Sequence, residues 1–387
     1  MGDELIQNLR RLREARAVSQ ADLARRAGIS RVAYGAIEAG KSQPRVENLL
    51  RIADALGVRL EELLAPPPPA LRAIRFRALK RMTRRQQVLV EVGRWLENYA
   101  ELEAMLGDRA PYRLDGVAGQ LAEMAPGHER ARVAASLVRK ELGLREDEGI
   151  RDICGLLEER AGVKVLPIEL ASDAFFGLSV GSEDGGPAVV VNAWERISVE
   201  RWIFTAAHEL GHLVLHLGAY DVAQTEEDPD EEKEANFFAS YFLMPQEVFE
   251  QEWREARGLP LVKRVLKVKR IFRVSYRTVL YRLAERPEYG KQIWPRFQYA
   301  HVSAYGKSLV REDEPERVPP ADFHAAMVTS EAAGEPHRLS AEDFIEDRWR
   351  RLVRMAVEKD LITTSRAAEL LGLDLKQMRA MIAGWVD

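Results

Sequence analysis

Four consecutive prolines, Pro66–Pro69 in "APPPPA", constrain this 387-residue chain more than any other stretch. Such a run has no backbone N–H groups and a fixed φ, so it continues neither a helix nor an interior strand; it favours an extended, stiff spacer. The chain must then fold in separate pieces, with residues 1–65 at about the smallest size that builds its own core. The length allows two or three domains. Texture divides the rest into a Pro-rich linker with a basic helical connector at 66–147, a mixed α and β segment at 148–290, and a mainly helical region of unassigned role at 291–387. The expected class is mostly α with a small α+β domain.

Composition excludes several classes. With 46% hydrophobic and 30% charged residues the chain is ordinary globular material. Its net charge of −4 exerts no global pull on nucleic acid, so any such binding must come from a local patch. One cysteine, Cys154, leaves neither a disulfide framework nor a cysteine-built zinc site. No apolar run is long enough to span a bilayer, no signal-peptide core opens the chain, and Ile6 occupies the position where a myristoylation signal needs Ser or Thr. The expectation is a cytoplasmic protein with no membrane partner.

Residues 5–64 read as five helices. Leu5, Leu9 and Leu12 line the first. Ser19 caps "SQADLARRAG", Gly28 offers the left-handed turn, and Ser30 caps a second helix running to about Ala39. Two more follow near Val46–Leu56 and Leu60–Leu64. This is the spacing of a helix-turn-helix, whose second helix enters the major groove. Together with "IEAGKSQPRVENLLRIADALGV" and the closing "EELL", the segment resembles the phage-repressor-like (XRE, Cro/CI-type) family. The resemblance implies a double-stranded DNA operator as partner, with Gln20 on phosphate, Arg31, Val32 and Gly35 facing base edges, and Lys41 and Arg45 flanking the backbone. Gly35 departs from a good reading helix, since glycine costs about 1 kcal/mol of propensity and reaches no base. Charge is also modest, with 11 Lys/Arg against 9 Asp/Glu in residues 1–64. A dimerisation or docking role is the competing reading of this fold.

After the prolines, "RAIRFRALKRMTRRQQ" carries Arg72, Arg75, Arg77, Lys80, Arg81, Arg84 and Arg85 with no acid. Leu71, Ile74, Leu79 and Met82 fall at helical spacing, so a basic helix is expected. It is either an extra phosphate contact, a solvated face, or a partner for the acidic loop 226–232 in "TEEDPDEE". The last of these suggests control in cis, with DNA drawing the basic stretch away from the acidic one.

Beyond Gly149, "VKVLPIEL", "FFGLSVG" and "PAVVVN" read as three short strands. A long helix follows, from about Val199 to His216, holding "AAHELGHLVLH" at 206–216 with three of the chain's seven histidines. Positions i and i+4 lie one above the other on a helix, so His208 and His212 can share one ion, with Glu209 beside them as general base. Apolar Ala206, Leu210, Leu213, Val214 and Leu217 bury this helix, where an unpaired histidine would be costly. Catalytic zinc takes three protein ligands. His216 lies more than about 10 Å along the helix from His208, too far for a third. The candidate is Glu234 in "EKEANFFASYFLMP", bordering the face of Ala235, Phe238, Ala239 and Phe242, with Glu231 as the fallback. The strand 187–192 is a candidate for edge pairing with an extended substrate. His216 and Tyr241 are weak candidates for stabilising an oxyanion.

With "RWIFTAAHELGHLVLH", "EKEANFFASYFLMP" and "IFRVSYRTVLYRL" in this order, residues 148–290 resemble the ImmA/IrrE family of metallopeptidases. The resemblance implies a gluzincin-like core with a three-stranded sheet, a two-histidine-one-glutamate site for Zn²⁺ (Mn²⁺ as a substitute), and cleavage of a repressor of helix-turn-helix type under stress or in mobile elements. Fusion to a repressor-like unit leaves open whether the protein substrate is another chain or this one. Glu209 would take the proton of the attacking water and pass it to the leaving amine. The other readings are a transcription factor that senses zinc or a ligand without cutting, and an antitoxin-like binding protein. An intact Glu209 speaks against both, since holding a metal needs no general base. At the C-terminus "TTSRAAELLGLDLKQMRAMI" has helix-turn-helix cadence, with packing or homodimerisation equally open.

Overall fold

The computed structural model describes residues 2–15, 18–56, 58, 60–64, 74–76, 85–145, 147, 149–150, 152–170, 175–194, 197–216, 228–310, 313–315 and 348–385. The chain divides into two compact units, Met1–Leu71 with Arg81–Glu101, and Arg72–Lys80 with Leu102–Asp387.

The first unit opens with the five expected helices: α1 (Gly2–Ala15), α2 (Gln20–Arg26), α3 (Arg31–Glu38), α4 (Val46–Leu56) and α5 (Leu60–Leu64). Ser19 accepts from the backbone N–H of Asp22, and Ser30 from that of Ala33, so both motif helices begin at side-chain caps. Between them Gly28 takes φ +66°, a turn that any side chain would strain. Leu9, Leu23, Tyr34, Ile52 and Leu63 are fully enclosed in the core. Glu38, 2% exposed, accepts from Arg13 Nε at 2.9 Å and Nη2 at 2.6 Å. Burial alone would raise the Glu38 carboxyl, but bonds from Arg13, Tyr34 and Gln20 outweigh it and hold it low.

The second unit begins with a strand. The stretch 72–85, read above as helical, places β1 at Ile74–Phe76, and helix α6 (Arg85–Leu106), which belongs to the first unit as far as Glu101, starts only at Arg85. β1 is stabilised by a partner about a hundred residues on. It pairs antiparallel with β3 (Gly177–Val180), Ile74 opposite Val180 and Phe76 opposite Leu178. After α7 (Asp115–Gln120), α8 (His128–Glu141) and α9 (Ile153–Gly155, running into a π-helical turn over Leu156–Ala161) come β2 (Lys164–Ile168), β3 and β4 (Ala188–Asn192). The three expected strands are joined by β1 in the order β1-β3-β4-β2. β4 is therefore interior, antiparallel to β3 and parallel to β2. It cannot be the edge that accepts a substrate. Its unbroken buried run, Ala188 to Val191, is the pattern of a strand covered on both faces.

Against the sheet lies α10 (Val199–Leu215), capped by Ser198, and across α10 packs α11 (Pro229–Leu243). The acids at 226–232 were expected in a loop, yet from Pro229 onward they form the first turn of α11. Asp230, Glu231 and Glu232 there complement the positive end of the helix dipole. Glu226 and Glu227 lie outside the described residues, as does Leu217. Close approach of α10 and α11 uses small residues on both: Ala235 and Ala239 are fully buried, and a Cβ at Gly211 would stand 2.9 Å from Phe238 Cδ1. The rest is helical: α12 (Gln246–Glu255), α13 (Leu261–Phe272), α14 (Tyr276–Ala284), α15 (Ile293–Tyr305), α16 (Arg348–Glu358), α17 (Thr364–Leu370) and α18 (Leu375–Ala383). No helix among the described residues is long and apolar enough to cross a membrane.

Candidate metal centre and nucleic-acid face

His208 and His212 sit on the buried face of α10, 0% and 2% exposed. Their Nε2 atoms face each other at 3.0 Å. The carboxylate of Glu232 lies across both, 3.0 Å from Nε2 of His212 and 3.4 Å from Nε2 of His208. Among the described residues these three form the group able to hold a metal ion. Two nitrogens each about 2.05 Å from a tetrahedral zinc stand about 3.3 Å apart, so the spacing fits.

The hydrogen bonds behind the imidazoles make the stronger case. Nδ1 of His208 donates to Oδ1 of Asn236 at 3.1 Å, which leaves its Nε2 a bare lone pair. His216 meets the Glu234 carboxylate through Nε2 at 3.0 Å, and Nδ1 of His216 meets Nδ1 of His212 at 2.9 Å. A carboxylate only accepts, so a neutral His216 carries its proton on Nε2 and accepts on Nδ1 from His212. Nε2 of His212 is then a lone pair as well. Two lone pairs and a carboxylate converging in a buried site repel one another unless a metal ion or a proton lies between them. The donor set fits a borderline divalent ion such as zinc.

Glu234, expected as the third ligand, stands behind the site. It accepts from Gly127 N at 2.8 Å and from Arg130 Nε and Nη2 at 2.7 and 2.6 Å, besides His216. Burial opposes its ionisation, but these bonds prevail and lower its pKa to about 2. Arg130 on α8 explains why so buried an acid turns away from the imidazoles: the guanidinium supplies a full bidentate partner. Glu231, the fallback, is not in the group either. Glu232 is, one turn from Asn236 on the same face of α11. The polar pair Glu232 and Asn236 at i,i+4 is the signal that could have located it.

Glu209 is 1% exposed and adjoins β3: a Cβ built at Gly177 would lie 3.2 Å from its Oε1 and 2.5 Å from Thr205 Cγ2. Only glycine fits the strand there. His216 positions His212 rather than facing a substrate. Tyr241 is also engaged elsewhere, its hydroxyl 3.0 Å from His128 Nε2 and donating to Glu285 at 3.1 Å, with burial pushing the phenol up to about 12.

In the first unit α3 presents Arg31 and Val32 to solvent, Val32 at 82%, and Lys41 and Arg45 are exposed beyond it. Gln20, expected on phosphate, is half-buried and turned toward Glu38. Gly35 is half-buried beside it, and a Cβ there would lie 3.9 Å from Gln20 Oε1.

Comparison with known families agrees with both halves. Residues 9–63 match the helix-turn-helix family, and residues 158–284 match the IrrE N-terminal-like domain, a peptidase family. Comparison with curated proteins finds no match.

Proposed function

We propose that this protein is a DNA-binding transcriptional regulator fused to a zinc-dependent endopeptidase that cuts an extended segment of a repressor-type protein in a stress or mobile-element response. One observation carries the catalytic half. The Nε2 atoms of His208 and His212 face each other at 3.0 Å with Glu232 across them, while Asn236 and the His216–Glu234 pair engage their Nδ1 side. His208, His212 and Glu232 hold the ion, with Mn²⁺ as a substitute for Zn²⁺. When bound, the ion supplies Lewis acidity, polarising a peptide carbonyl and activating water near neutral pH. Glu209, next to His208 and enclosed by Thr205 and Gly177, takes the proton of the attacking water and returns it to the leaving amine.

Sheet order supports where the substrate lies. β3 is the strand beside Glu209, and its free side is filled by β1 of this same chain. Backbone pairing of an extended segment with β3 needs no particular side chains, which suits a flexible target. That β1 comes from the stretch just after the prolines favours cleavage in cis, or a strand that must leave before another substrate enters. Incubating the zinc-loaded protein and Glu209→Gln, alone and with helix-turn-helix repressors, tests the reading. Fragments are expected from wild type only. Equal cutting by Glu209→Gln, or no cutting by wild type of itself or any repressor, refutes it.

A further inference from the structure

The C-terminal helices α17 and α18 repeat the geometry of α2 and α3 residue for residue, 344 positions later. Ser19 caps α2 and Thr363 caps α17, each accepting from the backbone N–H three residues on. Both helices are seven residues long. Gly28 and Gly372 follow, with φ +66° and +65°. The turn is closed by the same three backbone bonds. Ala27 donates to Leu23 (2.9 Å) as Leu371 does to Ala367 (3.0 Å). Gly28 donates to Arg25 and Gly372 to Glu369, both at 3.2 Å. Ile29 donates to Ala24 (3.0 Å) as Leu373 does to Ala368 (2.8 Å). Then Ser30 caps α3 and Asp374 caps α18, the latter with a complete capping box through Gln377. The buried anchors correspond too: Leu23 and Ala24 to Ala367 and Ala368, and Tyr34 to Met378, the pair of anchors on the second helices being fully enclosed.

We infer that α16–α18 form a second helix-turn-helix and that α18 reads double-stranded DNA. The match fixes which residues would face the groove. Arg31, Val32 and Gly35 of α3 correspond to Leu375, Lys376 and Arg379 of α18, and all three are exposed. Here the face is better equipped than the first one. Gly35, which reaches nothing, is replaced by Arg379, able to bond guanine bidentately; Lys376 replaces Val32, and Leu375 offers an apolar contact of the kind thymine methyls take. Charge agrees: residues 348–385 hold eight Lys/Arg against four Asp/Glu. The motif also has a firm base. On α16 the buried Arg348 donates to the carbonyl of Asp108 at 3.1 Å and pairs with Glu103 at 3.4 Å, and Arg351 pairs with Glu159. α16 is thus spent on the protein, and the recognition face of α18 is left to solvent. Docking of another protein there is the competing occupant, and the basic Lys376 and Arg379 with no acid between them favour a polyanion.

The test selects duplexes from a random-sequence pool with the full-length chain. Wild type should enrich two base motifs, one lost with Arg31→Ala/Val32→Ala and the other with Lys376→Ala/Arg379→Ala. On a duplex carrying both motifs, the second variant should bind at least tenfold more weakly. Its dependence of log K on log salt should flatten by about 0.9 for each phosphate contact removed. Both side chains are exposed, and an unchanged thermal melt will show that the fold is intact. A single motif, no motif, or unchanged DNA affinity in Lys376→Ala/Arg379→Ala overturns the inference, as does a variant that alters only self-association.

Discussion

Replacing Glu234 by Gln separates a residue that holds a metal from one that holds a ligand in the right protonation state. The carboxylate accepts four hydrogen bonds, from Gly127, twice from Arg130, and from His216. An amide has one oxygen to offer. If that oxygen faces Gly127 and Arg130 Nε, the amide nitrogen faces His216 and donates to it. His216 then carries its proton on Nδ1 and donates to His212, whose own proton moves to Nε2, the atom that must bind the ion. If the amide turns over, its N–H groups meet Gly127 and Arg130, two donors against donors. Either outcome weakens the site without removing a ligand. Loss of such a partner costs 10–100-fold in metal affinity, about 1.4–2.7 kcal/mol. Chelator-buffered zinc titrations of wild type, Glu234→Gln and Glu232→Gln measure this directly. Melting with and without zinc gives a second readout, since a weaker Kd reduces metal-linked stabilisation by the same free energy. Glu232→Gln is expected to lose more than Glu234→Gln, and Glu231→Gln nothing measurable. Wild-type affinity in Glu234→Gln, or tighter binding by Glu232→Gln than by Glu234→Gln, would refute the relay from Glu234 through His216.

Three other perturbations test the framework. Arg13→Ala strands a carboxylate that is 2% exposed, so the first unit should lose about 3–5 kcal/mol in urea unfolding; a loss below 1 kcal/mol would mean the pair is not buried. Gly35→Ala should gain up to about 1 kcal/mol of helix stability, because the new methyl meets Gln20 only at van der Waals distance; destabilisation would show that α3 is packed differently. Glu314 donates nothing to its surroundings but accepts from Tyr276 N, and it shares Lys269 with Glu200. Burial, then the like charge of Glu200, raise its carboxyl to about 7 against the pull of Lys269. A folded pKa above the ordinary 4.5 gives stability that is complete below pH 4.5 and drains away as pH rises through 7. Glu314→Gln should therefore gain on wild type between pH 5 and pH 8, by at most about 3 kcal/mol. A pH-independent difference would refute it.

What was legible in the sequence was local. Ser19, Gly28 and Ser30 mark the ends of α2 and α3 because caps and left-handed turns are chosen by the residues that occupy them. His208 and His212 declare their shared face because four residues make about one helical turn. The errors all involve partners far along the chain. Glu234 was favoured because it borders the buried face of α11, and it is indeed 2% exposed. But depth alone does not make an acid a ligand. A carboxylate so deep needs a countercharge, and Arg130 provides it from about a hundred residues earlier, where no helical periodicity of α11 could reveal it. The same distance hid β1. Three residues with apolar neighbours at helical spacing become a strand only because β3 has an open side, and that opening exists only after β2 and β4 have closed the other. The strand 187–192 does not form an edge because β2 and β3, both close in the chain, pair with it on either side. The two corrections converge on one site: Glu232 replaces Glu234 at the imidazoles, and β1 replaces the imagined guest at the sheet. Residues 74–76, just past the prolines, thus pair with β3, the strand that lies beside Glu209.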